Sequence, residues 1–152
     1  MKGDALTFEP EYSTEVREVI GYWRKANQIH GWFVRNAQGG KDDCREYPVS
    51  RDQLRELLKV VQEVKASTKL IPGKVSMGQT LEGGEWVEIL KDGRVMANTE
   101  VAERLLPVCE GFFFGSYAYD QDYYDDLVET ERILKLALDS PADVTFTYQS
   151  SW

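Results

Sequence analysis

The segment Tyr22 to Phe33 reads Tyr-Trp-Arg-Lys-Ala-Asn-Gln-Ile-His-Gly-Trp-Phe and sets the chain's one histidine among aromatics, two bases and an amide. An imidazole titrates near neutral pH, so His30 could serve as a general base or orient a ligand, with Arg24, Lys25 and Asn27 close to it in sequence. Joined by Asp42, Asp43 and a tyrosine, these groups could line an anion-binding pocket and transfer a proton. The plainer reading of Asn27 and His30 is a core pair, each requiring buried hydrogen-bond partners. A cysteine–histidine catalytic pair would need Cys44 or Cys109 to reach His30, which a sequence does not show. No metal or cofactor is expected, because one histidine and two distant cysteines offer too few ligands and no nucleotide motif is complete.

A second concentration runs from Tyr117 to Asp126, where phenols alternate with carboxylates. Acids at a helix start complement its dipole, which accounts for one or two of them. Asp120, Asp122, Asp125 and Asp126 beside Tyr123 could instead form an aromatic-backed ridge that imitates a nucleic-acid backbone and occupies a basic groove. The spacing does not match a calcium loop, which needs a glycine at its turn and a distal glutamate.

To position these groups the chain has 152 residues, 42% apolar and 12% aromatic, a composition that folds around one core. With 18 basic and 26 acidic residues its formal net charge is −8, which argues against direct nucleic-acid binding and for a basic or neutral partner. No run approaches the roughly 20 apolar residues of a membrane helix, and the start of the chain lacks an apolar export core. The expectation is a cytoplasmic protein with both thiols reduced and unbridged.

Apolar residues recurring from Val16 to Ala37 after Ser13-Thr14 predict a helix over 14–37. Wound as a helix, that stretch turns Asn27 and His30 into the apolar arc and sets Arg17, Arg24 and Arg35 opposite, with Lys25 and Trp32 beside them. Arginine next to exposed tryptophan would make a recognition face. Ser50-Arg51-Asp52-Gln53 is a capping box, followed by a stripe of Leu54, Leu57, Leu58, Val61 and Val64. Residues 67–84, with Pro72 and several glycines, read as a mobile connector or weak edge strand. Strands over 86–90 and 94–97 flank a tight turn at Lys91-Asp92-Gly93. A short helix ends at Leu106 before Pro107, and Gly111 to Gly115 reads as a buried strand. A last helix over 120–138 faces Tyr124, Leu127, Val128, Leu134 and Leu138 inward, and Val144, Phe146 and Tyr148 alternate as a half-buried strand. The sum is one α+β domain over 1–152, about four helices packed on a small, mainly antiparallel sheet.

Tyr22 to Asn27, Ile29-His30 and Trp32-Phe33 resemble a family of small proteins of bacteriophages, prophages and bacterial genomes. So do Asp42-Asp43-Cys44, Val49-Ser50-Arg51, Gly111 to Ser116, the tyrosine-rich acidic start of the last helix, and the ending Tyr148 to Trp152. That family carries no assigned activity, so the resemblance implies an origin and no mechanism. Small acidic proteins of mobile elements often bind and block a host protein, nucleic-acid-handling machinery included.

The leading expectation is therefore a non-enzymatic interaction protein whose host or phage partner presents a basic surface. It would make contact through Arg24, Lys25, Trp32 and Arg35, through Asp120, Asp122, Tyr123, Asp125 and Asp126, or through both sets. The alternative is a small enzyme or ligand-binding domain built on Arg24, Lys25, Asn27, His30, Asp42 and Asp43. The two divide on His30, which an enzyme needs within reach of its substrate.

Overall fold

Val19, Ile20, Tyr22 and Trp23 are strand-forming residues, and in the computed structural model, which describes residues 4–10 as backbone together with 17–109 and 118–150, they lie in a strand. β1 (Asp4–Pro10) pairs antiparallel with β2 (Glu18–Trp23). Lys25 then turns the chain at φ 59°, and α1 (Asn27–Asn36) begins beyond it. The helix expected over 14–37 is thus corrected to strand, turn and helix, its first three residues lying outside the described part. A residue at positive φ cannot continue a right-handed helix, and the ladder to β1 satisfies the β2 backbone in its place. Gly21 lets the strand close on the helix that covers it, since a Cβ there would lie 2.3 Å from Ile133 Cγ2.

β6 (Val144–Gln149), the alternating strand expected near the end, pairs antiparallel with both β1 and β3 (Tyr47–Val49). The sheet order is β2-β1-β6-β3. β3 replaces part of the loop expected over 41–49; three residues with a proline among them carry no readable period.

Two long helices supply the core. α2 (Arg51–Ala66) opens with the expected capping box, Ser50 accepting from the Gln53 amide while the Gln53 side chain accepts from that of Ser50, and buries Leu54, Leu57, Val61 and Val64. α4 (Gln121–Leu138) is capped by Asp120 and buries Tyr123, Leu127, Thr130, Ile133, Leu134 and Ala137. Val128 is 44% exposed rather than inward, and Tyr123 is the buried phenol of the first turn while Tyr124 is half-buried. The short helix α3 (Glu100–Leu105) ends before Pro107 as expected. The strand expected over 111–115 lies outside the described residues.

The segment read as a connector is instead β4 (Leu70–Glu82), paired along its length with β5 (Glu85–Met96). Their turn is Gly83-Gly84, at φ 59° and 82°, and not Lys91-Asp92-Gly93. Two consecutive positive φ values define the turn whose twist matches a hairpin, and a glycine pair adopts them without a Cβ clash. Gly93 lies within β5 opposite Gly73. Among the described residues there are thus four helices, a four-stranded antiparallel sheet and a two-stranded hairpin, an α+β fold.

Candidate functional site

Between β2 and α1 the chain is fixed at both ends and open in the middle. Trp23 is buried and donates its indole N–H to Thr130 Oγ1 at 2.7 Å, and Ala26 is fully buried. Arg24 and Lys25 stand exposed between them and make no ion pair among the described residues. A non-glycine residue at positive φ costs about 1–3 kcal/mol, strain that often accompanies a functional position.

Across from these bases lies the first turn and a half of α4. Asp120 is nine-tenths buried and accepts from the Tyr123 amide at 3.2 Å. Tyr123 turns inward and donates its hydroxyl to Leu106 O at 2.7 Å, so it is a structural pin whose burial holds the phenol protonated. Asp126 accepts from Gln28 Nε2 at 3.1 Å, which ties α1 to α4. Burial pushes the Asp126 carboxyl up to about 7; the Gln28 bond opposes that shift and the charges of Asp122, Asp125 and Asp120 reinforce it. Burial also raises Asp120. Asp122 and Asp125 are exposed, Asp125 accepting from Gln121 Nε2 at 2.8 Å.

These groups enclose a cleft of about 470 Å³ lined by Arg24, Lys25, Gln28, Ala118, Asp120, Asp122, Tyr123, Asp125 and Asp126. Seven of the residues expected to bind therefore meet at one place, although the sequence assigns them to two separate surfaces. Trp32 and Arg35 do not join them. Trp32 is 4% exposed with its ring edge-on to Phe33 at 5.4 Å, and Arg35 lies along α1 with Nη1 3.6 Å from Cys109 Sγ. The expected arginine–tryptophan face does not exist, because Arg17 and Arg24 are not on α1; Arg17 pairs with Glu46 at 2.6 Å.

Of the alternative pocket the structure brings His30 and Asp42 into contact, but with the ring sealed from solvent. His30 has 0% exposure, its Nδ1 lying 2.7 Å from Tyr148 Oη and its Nε2 2.7 Å from Asp42 Oδ1. A carboxylate accepts, so Nε2 carries the proton and Nδ1 accepts from the Tyr148 hydroxyl. Burial lowers the His30 pKa more than the Asp42 bond and charge raise it, and the ring is neutral. Tyr148 is itself fully buried and stacked on Phe33 at 3.9 Å. Asn27, 1% exposed, accepts at Oδ1 from the Cys109 amide at 3.1 Å. Asp43 is exposed and accepts from Tyr47 Oη at 2.8 Å. None of this presents an imidazole to a substrate, so the arrangement is the satisfied core pair.

Gln28 is the cleft residue that sequence reasoning missed. It follows Asn27 directly, but the assumed helix turned it away from the apolar arc, and only the strand-to-helix break aims it at Asp126. Both cysteines are free thiols. Among the described residues no group of three or more His, Cys, Asp or Glu is placed to hold a metal ion, and no helix is long and apolar enough to cross a membrane. No family model, curated protein or solved structure matches the chain.

Proposed function

We propose that this protein is a non-enzymatic interaction module that takes a basic segment of another protein into the cleft between the Arg24-Lys25 turn and the start of α4. The observation that carries this reading is the convergence of Asp120, Asp122, Asp125 and Asp126 on one cleft with Arg24 and Lys25, which make no ion pair among the described residues. Carboxylates outnumber bases there, so a lysine or arginine side chain is favoured, while the two bases can take a neighbouring acid of the partner and fix its direction. The chain's charge of −8 steers a basic surface toward it over a long range. The resemblance to phage and prophage proteins supports a bacterial host protein as the partner, its basic groove blocked by occupancy.

Capture from a bacterial host lysate, run in parallel with wild type and Asp122→Asn/Asp125→Asn/Asp126→Asn, tests this. A partner retained by wild type and lost by the folded variant is the expected result. A partner retained equally by both would remove the cleft from the interaction.

A further inference from the structure

Asp126 is gripped from both ends of the turn that carries Arg24 and Lys25. On one side Trp23 donates to Thr130 Oγ1 at 2.7 Å, and Thr130 donates in turn to Asp126 O at 2.6 Å. On the other, Gln28, itself 3% exposed, reaches the carboxyl with its Nε2 3.1 Å from Asp126 Oδ2. The backbone and the side chain are both tied down. Asp122 and Asp125 stand exposed, whereas Asp126 is half-buried and cannot swing into solvent without breaking the bond that joins α1 to α4.

Fixed in this way, its ionised form has little to stabilise it. A carboxylate can accept about four hydrogen bonds, and among the described residues the neutral amide of Gln28 is the one side-chain partner. The charges around it are mostly of its own sign. α4 brings Asp122 and Asp125, Asp120 at the cap, a buried neutral Tyr123, and Glu129 one turn on, which Arg132 holds. β2 contributes Trp23 and α1 contributes Gln28, both neutral. The turn between them brings Arg24 and Lys25 to the cleft, and neither makes an ion pair among the described residues. Lys91 and Arg94 of the hairpin root share a second cleft with Asp120 and Asp122, but Asp126 does not line it. A confined carboxyl among three others, met by one amide, is more stable holding a proton. In keeping with that, burial, reinforced by the three neighbouring charges, raises Asp126 to about 7.

A cation seated beside Asp126 reverses this balance, because it supplies the counter-charge that the walls lack and favours the ionised form. The carboxyl O–H bond then breaks and the proton passes to bulk water. We propose that the cleft takes a basic segment with release of one proton from Asp126, so that its affinity rises with pH across neutrality. The coupling rests on the reading of the cleft as a site for a basic segment and adds the regulation of that site. His30, the chain's one histidine, is sealed and neutral, so it contributes no competing titration above about 6.5.

Calorimetric titration of the full chain with acetylated, amidated hexa-arginine tests the coupling, since no group of that peptide titrates near neutral pH. Affinity should rise about tenfold from pH 6 to pH 8, the factor by which a midpoint near 7 changes the ionised fraction. At pH 6, buffers of different ionisation enthalpy should report about one proton released per peptide bound. Asp126→Asn keeps an acceptor for Gln28 and should bind over the whole range as weakly as wild type does at pH 6, with no proton released. Carboxyl carbon shifts of the free protein, the Asp126 signal assigned by its loss in Asp126→Asn, give the midpoint without any peptide. A midpoint below about 5, equal affinity at both pH values with no proton released, or an Asp126→Asn variant that keeps the rise would each overturn the coupling and leave the cleft reading standing. A peptide bound at neither pH would overturn the cleft reading and the coupling with it.

Discussion

The surroundings of His30 and the start of α4 are built from the same kinds of group, carboxylate, phenol and amide or imidazole, and they end in opposite states. Around His30 each ring nitrogen meets a partner at 2.7 Å and no surface remains. At the start of α4 the carboxylates share a cleft with Arg24 and Lys25, and neither base makes an ion pair among the described residues. A polar group that is satisfied and sealed contributes to the fold, whereas one that is held in place but left unpaired retains its interaction energy for a partner. Residue type alone does not separate the two. What separates them is whether the neighbouring elements close over the group.

Breaking the sealed region has the largest expected effect. His30→Ala leaves a cavity and strands the Asp42 carboxylate and the Tyr148 hydroxyl, so denaturant unfolding should show a loss of about 2–5 kcal/mol. Tyr123→Phe probes the boundary between the regions, since its ring lines the cleft while its hydroxyl is structural. Losing the bond to Leu106 O should cost about 1–3 kcal/mol in the same measurement, with binding by the folded fraction unchanged.

The two regions also tilt stability in opposite directions with pH. His30 has a lowered pKa, so the unfolded chain takes up a proton first, and its contribution is full above about 6.5 and lost as pH falls below that. Asp126 is raised from 3.8 to about 7, so the folded chain holds a proton that the unfolded chain has released; its contribution is full below 3.8 and lost as pH rises through about 7. Unfolding measured from pH 4 to 8 should show Asp126→Asn gaining about 1–3 kcal/mol relative to wild type toward the alkaline end, after discounting for solvent contact. His30→Gln should flatten the opposite slope. The smallest effect belongs to the open side: Asp122→Asn/Asp125→Asn should change stability by about 1 kcal/mol or less, because exposed carboxylates do little for the fold.

Legibility followed the same division between local and long-range causes. The capping box at Ser50, the aspartate cap of α4 and the alternation of β6 rest on neighbouring residues, and all three were readable. The break at Lys25 was not, because Val19, Ile20 and Trp23 fit a helical stripe as well as a strand until β1, paired antiparallel along them, supplies the ladder. The turn of the hairpin was misplaced because Asp92-Gly93 and Gly83-Gly84 both offer turn chemistry, and only the full β4–β5 register chooses between them. That one misread break hid the site: on a continuous helix the arginine–tryptophan face and the acidic ridge are separate surfaces, whereas the break brings Arg24 and Lys25 to Asp122 and Asp126 and takes Trp32 into the core.

The central claim is that binding resides in the open cleft and that its charges act by attraction during approach. It is tested most directly by the association rate of the captured partner, measured by stopped flow at low and high salt for wild type and for Asp122→Asn/Asp125→Asn/Asp126→Asn. A rate about tenfold or more slower is expected for the variant at low salt, with much of the salt dependence gone. A variant that associates at the wild-type rate with the wild-type salt dependence would contradict it.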